Sequence, residues 1–127
     1  MNFETILAVK NLKKIISSKS FKYIDGIIVG RSDLAGSMQK EKNFVNSKKI
    51  FKIAENCYKQ ISKNVKRKLI FKMGGSITPL SKSFIANLFR KKFLNYIETR
   101  NIEIKLSKKS IKNLDNIISK AFEFEVE

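Results

Sequence analysis

Apolar residues along this chain fall into two alternating patterns. Short, dense apolar runs read as strands, and longer stretches with apolar positions every three or four residues read as amphipathic helices. Met1 to Thr5 is a short run ending on a polar pair, and residues 7 to 19 follow with Ala8, Leu12, Ile15 and Ile16 on one helical face. Ile24 to Val29 is a near-continuous apolar run closed by Gly30, the form expected of a parallel strand covered on both faces. A loop containing Gly36, Gln39 and Asn43 is expected next. Asn46 and Ser47 are the candidate caps of a helix that carries Ile50, Ile53, Cys57 and Ile61 at helical spacing.

The pattern then repeats. Lys68 to Lys72 reads as a third strand, closed by Gly74-Gly75-Ser76. Thr78-Pro79 opens a helix with Phe84, Ile85, Leu88 and Phe89 as its apolar face, the proline sitting where a missing N–H does no harm. Phe93 to Ile97 is a fourth strand, resuming around Ile102 to Ile104. Ser107 caps a last helix with Ile111, Leu114, Ile118, Ala121 and Phe122 inward. The strand core is expected at Phe3, Ile27, Val29, Ile70 and Ile97. Ile15, Ile53, Phe84, Leu88, Leu114 and Ile118 are expected to pack helices onto the sheet.

Four strand–helix units imply an α/β fold with a parallel sheet and right-handed crossovers. An eight-fold barrel takes about 250 residues, so four units in 127 residues are half of one. The other candidate is a small, complete, doubly wound sheet of flavodoxin type. The first strand starts at Met1 with no lead-in, which favours the half barrel. The expectation is one partial domain over residues 1–127, a (βα)4 half of a TIM (β/α)8 barrel.

Composition narrows the class. With 43% hydrophobic and 30% charged residues the chain is of globular type. No apolar run approaches the roughly 20 residues of a membrane span, and the N-terminus lacks the basic region of a secretory signal. The single cysteine, Cys57, excludes an internal disulfide framework and fits a reducing cytoplasm. Histidine is absent, which excludes His-based metal sites and Ser-His or Cys-His catalysis within this chain. The net charge of +16 raises the question of nucleic acid. Yet Arg31, Arg67, Arg90 and Arg100 are the only arginines, and phosphate and base readout lean on arginine. A solvated, lysine-rich surface is the simpler reading, and a nucleic-acid partner is not expected.

In parallel α/β folds the chemistry sits at the C-terminal ends of the strands. Those ends carry Glu4-Thr5, Gly30-Arg31-Ser32-Asp33, Gly74-Gly75-Ser76 and Glu98-Thr99-Arg100. Two neighbouring strands thus each present a carboxylate, Glu4 and Asp33, to one mouth. Carboxylates without His or Cys form a hard-oxygen set suited to Mg²⁺ or Mn²⁺. The plainer alternative is that Glu4 is a solvated strand-end acid and Asp33 a helix cap. Glu98 and Arg100 flank Thr99 as a candidate structural ion pair.

The segment Ile24-Asp25-Gly26-Ile27-Ile28-Val29-Gly30-Arg31-Ser32-Asp33-Leu34-Ala35-Gly36-Ser37 resembles the DGI-x-x-G-x-x-DL-x-x-S signature of the HpcH/HpaI aldolase and citrate lyase family. Phe3-Glu4-Thr5 with Ala8-Val9 and Asn11-Leu12 is similar to that family's E-T-x-x-A-V-x-N segment, in the same order and at about the same separation. The resemblance covers roughly residues 2 to 38 and implies the C-terminal half of a (β/α)8 barrel. It implies a carbon–carbon lyase acting on 2-oxo acids or acyl-CoA thioesters through a metal-stabilised enolate, with Glu4 and Asp33 as ligands of Mg²⁺ or Mn²⁺. Gly30, Arg31, Ser32 and Asp33 would bind substrate. Many members have proline where this chain has Arg31, which could pair with a carboxylate or phosphate or face solvent. The family's arginine and general-base histidine belong to strands with no counterpart here, so no catalytic residue is assigned in this half. Either a missing N-terminal half-barrel or self-association is the expected partner.

Overall fold

In the computed structural model the apolar runs become five strands: β1 (Asn2–Phe3), β2 (Gly26–Gly30), β3 (Ile70–Gly74), β4 (Tyr96–Thr99) and β5 (Ile102–Lys105). It describes the chain apart from residues 100, 101 and 127, and apart from the side chains of residues 42, 43 and 121–126. The five strands form one sheet in sequential order. β1 to β4 are parallel, and β5 folds back antiparallel on β4. The fold is α/β, as the alternating pattern predicts. The fourth run does not resume after an interruption, however: it divides into two paired strands.

Register explains the burial. Phe3, Val29, Met73, Ile97 and Ile104 lie across the sheet in one row, and Ile27 and Phe71 in the next. All of these but Ile104, which is partly buried, are buried. The alternate row, Asn2, Ile28, Lys72, Tyr96 and Lys105, is partly or wholly open. The run at Ile24 to Val29 therefore forms a strand with one well-covered face rather than two. Ile70, expected in the core, is 43% exposed. Leu69, Phe71 and Met73 take the inward positions instead, because side chains alternate along a strand and one residue of offset exchanges the faces.

The helices follow the sequence with three differences. The expected first helix divides at Asn11 into α1 (Ile6–Lys10) and α2 (Leu12–Ile16), and a 3₁₀ turn over Lys19–Tyr23 leads into β2. The expected loop around Gly36 is largely helix, α3 (Arg31–Ser37), which buries Arg31, Leu34 and Ala35. Ser47 caps α4 (Lys48–Asn64) by accepting from the Ile50 N–H; Asn46 is not the cap. Thr78 and Ser81 form a capping box ahead of α5 (Lys82–Arg90), and Ser107 and Ser110 form one for α6 (Lys108–Lys112), which passes at Asn113 into α7 (Leu114–Val126). Leu88, Leu114 and Ile118 are buried, while Ile15, Ile53 and Phe84 are half-buried against the core. The side chains of Ala121 and Phe122 lie outside the described residues. Among the described residues no helix is long and apolar enough to cross a membrane.

Asn95 sets the β3–β4 register before β4 begins. Its side-chain oxygen accepts from the Phe71 N–H at 2.8 Å, and its own N–H donates to the Phe71 carbonyl at 2.8 Å. Tyr58 of α4 donates its hydroxyl to the Lys72 carbonyl, pinning the longest helix to β3. Cys57, beside it, is a buried helix residue as its spacing with Ile53 and Ile61 predicts.

Ile27→Ala should cost about 2–5 kcal/mol in urea unfolding, whereas Ile70→Ala should cost under about 1 kcal/mol, the reverse of what a shifted register requires. Burial pushes the Cys57 thiol up from 9.0 to about 11. The unfolded chain therefore releases this proton first, and stability should fall as pH rises from about 9 to about 11. Cys57→Ala should remove up to about 1.4 kcal/mol per pH unit of that slope, which denaturant titrations across this range will read.

Candidate functional site at the C-terminal edge of the sheet

Parallel pairing brings the ends of β1 to β4 to one edge. Gly30 and Gly74 are register partners at that edge, and Gly74 pairs in turn with Glu98, which faces Glu103 of β5. The open face there is a glycine floor with acidic side chains to either side. Glu4, one residue past β1, crosses the floor: a Cβ on Gly30 would lie 2.9 Å from the Glu4 Cγ and 3.5 Å from its Oε1. Only glycine at position 30 leaves the carboxylate stem that path. Gly30 is also the residue at which the chain turns from β2 into α3, and Asp33 stands exposed in the first turn of that helix. Glu4 and Asp33 thus belong to adjacent strand–helix units at the same end of the sheet.

Two clips fix this geometry. Ser37 donates to the Leu34 carbonyl at 2.7 Å and accepts from the Ile6 N–H at 2.9 Å, so the end of α3 holds the turn that follows Glu4. Arg31 holds the other side. Its guanidinium donates to the carbonyls of Gly74, Val45, Gly75 and Ser76 and to Asn46 Oδ1, at 2.8 to 3.2 Å. Those five bonds equal the five N–H donors of an arginine. The residue is 0% exposed and its guanidinium lies 4.9 Å from the Phe51 ring centroid. Arg31 therefore neither faces solvent nor presents a free fork to a substrate carboxylate, the two roles considered from sequence; it fastens α3 to the β3 turn. Gly75 is glycine for the same reason: its φ is +116°, and a Cβ there would lie 3.2 Å from the Arg31 Cβ. Asn46 completes the cluster, accepting from both Arg31 and the buried Ser81 hydroxyl.

Ser32 remains exposed and lines a cavity of about 530 Å³ with Gly75, Ser76, Lys40 and Glu41. On the far side of the glycine floor Lys72 reaches Glu103 at 2.9 Å and Glu98 at 3.7 Å, with its ammonium 5.2 Å from the Tyr96 ring centroid. The hydrogen bond with Glu103 raises the Lys72 pKa above its ordinary value; desolvation opposes the rise, and the charges of Glu103 and Glu98 assist it. Lys72 is a partner of Glu98; the expected pairing of Glu98 with Arg100 falls on a residue outside the described ones.

The oxygen-bearing residues at this edge, Glu4, Asp33 and Ser32, are of the kind that suits a hard divalent cation, since Mg²⁺ is commonly held by one or two carboxylates with water completing its shell. Among the described residues no group of three or more His, Cys, Asp or Glu side chains is arranged to hold an ion. Sequence reading missed Lys72 and Glu103. The signal was present in Tyr96-Ile-Glu-Thr99 and Ile102-Glu-Ile-Lys105, two alternating runs separated by two residues, the spacing of a tight hairpin. Compared with known proteins, the chain matches no family model, no curated protein and no solved structure.

Arg31→Lys supplies three donors in place of five and leaves carbonyls of the β3 turn unpaired. Each buried unpaired group costs about 1–3 kcal/mol. The variant should lose roughly 2 kcal/mol or more in urea unfolding, with accelerated hydrogen exchange at residues 74–76. Unchanged stability would show that the cluster is not what holds this edge.

Proposed function

We propose that this chain is part of a divalent-metal-dependent carbon–carbon lyase of the kind resembled by its 2–38 segment, with Glu4 and Asp33 holding Mg²⁺ or Mn²⁺. The observation that carries the reading is the path of the Glu4 side chain across Gly30, at the base of the helix that bears Asp33. The two motifs, distant in sequence, thereby meet at one edge. The sequential order of the parallel strands β1 to β4 supports a half barrel, since a doubly wound sheet of flavodoxin type reverses its order at a switch point (2-1-3-4-5) and these do not; the antiparallel β5 departs from it, occupying the edge of β4 that a closed barrel would pair with its next strand. On this reading the helix-covered face is the barrel exterior and the open, glycine-floored face is the lumen side.

When bound, the ion supplies a Lewis acid that stabilises negative charge on a substrate carbonyl oxygen. The chain's own residues supply position. Gly30 gives Glu4 room, Ser37 holds the turn behind Glu4, and Arg31 anchors the helix that carries Asp33. The substrate class is a 2-oxo acid or an acyl-CoA thioester, lying over the Gly30 to Asp33 segment, where Ser32 is open to it. No proton-transfer group is assigned within the chain. Turnover therefore requires a partner over the open face, either an N-terminal half-barrel or a second copy.

Calorimetric titration with Mn²⁺ should detect one weak site on the isolated chain, without lyase activity. Glu4→Gln and Asp33→Asn should each weaken it at least tenfold, and Gly30→Ala should do so by displacing Glu4, while Glu41→Gln leaves it unchanged. Equal binding by wild type and the Glu4→Gln/Asp33→Asn double variant would sink the metal assignment.

A further inference from the structure

The opposite edge of the sheet has the opposite chemistry. A cleft of about 780 Å³ lies between the end of α4, the end of α5, the starts of β3 and β4, and the first residue of α6. That is within the roughly 300–1,000 Å³ of small-molecule sites. Its floor is apolar, built from Leu69, Phe71, Phe89 and Leu94. Its rim carries Lys66, Arg67, Lys68, Arg90, Lys92 and Lys108, and no lining residue is acidic.

Cations are expected where helices end, because each helix C-terminus carries the equivalent of roughly half a negative charge. Two helices, α4 and α5, end at this cleft. They account for about one unit of negative charge, against six positive side chains. The excess, about five units by this count, is not a compensation of helix dipoles. Arg67 is fixed in place: it donates to the Phe21 and Ile24 carbonyls at 2.6 and 2.8 Å and lies over the Phe21 ring. The other five cations are exposed and, among the described residues, none is in an ion pair.

We infer that this cleft binds a ligand carrying a chain of phosphates on a flat apolar body, such as a nucleoside triphosphate. The cations come from three separate segments, 66–68, 90–92 and 108, so they match a charge that is distributed rather than a single carboxylate. Phe89, partly open, offers a ring for the flat part over a floor of Leu69, Phe71 and Leu94, and the rim of lysine and arginine offers charge-assisted hydrogen bonds for the phosphates. The site is on the far side of the sheet from Glu4 and Asp33 and does not depend on the metal assignment.

Isothermal titration of the full chain with ATP and with inorganic tripolyphosphate, at 150 mM salt and without divalent cations, tests this. Both should bind saturably at one per chain, ATP the tighter. Lys66→Gln/Lys92→Gln should weaken both at least tenfold, whereas Lys10→Gln/Lys49→Gln, an equal change of charge placed elsewhere, should alter either by less than twofold. Phe89→Ala should weaken ATP and spare tripolyphosphate. Absence of saturable binding, or equal losses in the two lysine pairs, would overturn the inference. Tripolyphosphate binding as tightly as ATP would overturn the role of the apolar floor. A single-stranded RNA oligomer that binds more tightly than ATP and is lost in Lys66→Gln/Lys92→Gln would assign the cleft to nucleic acid instead.

Discussion

The buried guanidinium of Arg31 is the constraint on which the C-terminal edge depends. Removing such a charge from water costs several kcal/mol, and it is tolerated only where every donor is used. Here the acceptors come from the end of β3, from the turn after it and from the residues just before α4. Two segments far apart in sequence, residues 45–46 and 74–76, are thereby fixed to the first residue of α3. Phe51 lies over the guanidinium and stacks on Phe84 at a centroid separation of 4.6 Å, so the charged cluster continues directly into the contact between α4 and α5.

From this anchor the rest of the edge follows. A helix held at its first residue by Arg31 and at its last by Ser37 has little freedom to tilt, and Asp33 rides on it. The glycines are then required for separate reasons. Gly30 makes room for Glu4, and Gly75 has both a positive φ and the Arg31 side chain against it. A turn built to solvate an arginine and a strand end built to admit a glutamate stand side by side at this edge.

The two ends of the sheet are chemically polarised, and the polarity is one that parallel α/β topology favours. Helices in such a fold begin where strands end, so partial positive charge accumulates at the C-terminal edge and partial negative charge at the other. Carboxylates suit the first and lysines the second. In this chain both exceed what the helix ends ask for: a carboxylate is led over the glycine floor at one end, and six cations ring an apolar cleft at the other. The antiparallel β5 adds Glu103 to the open face and covers the outer edge of β4, so on that side the sheet stops in a hairpin.

The sequence by itself determined the alternation of strands and helices, the parallel class, the inward positions Phe3, Ile27, Val29 and Ile97, the Ser47 and Ser107 caps, and the burial of Cys57. Each of these is set by local period or by side-chain chemistry within a few residues. It also marked Glu4 and Asp33 as strand-end acids. It did not determine which face of β3 is inward, since Leu69, Ile70 and Phe71 are all apolar and only pairing with β2 and β4 selects the register. Nor did it show that Arg31 turns inward, because nothing local distinguishes a solvated arginine from one whose acceptors lie 14 to 45 residues away. The helix over Arg31–Ser37 was hidden for the same reason: its Ser, Asp and Gly residues read as loop, and the forces that hold it helical, the buried Leu34 and Ala35 and the Arg31 and Ser37 clips, exist only once the chain has folded.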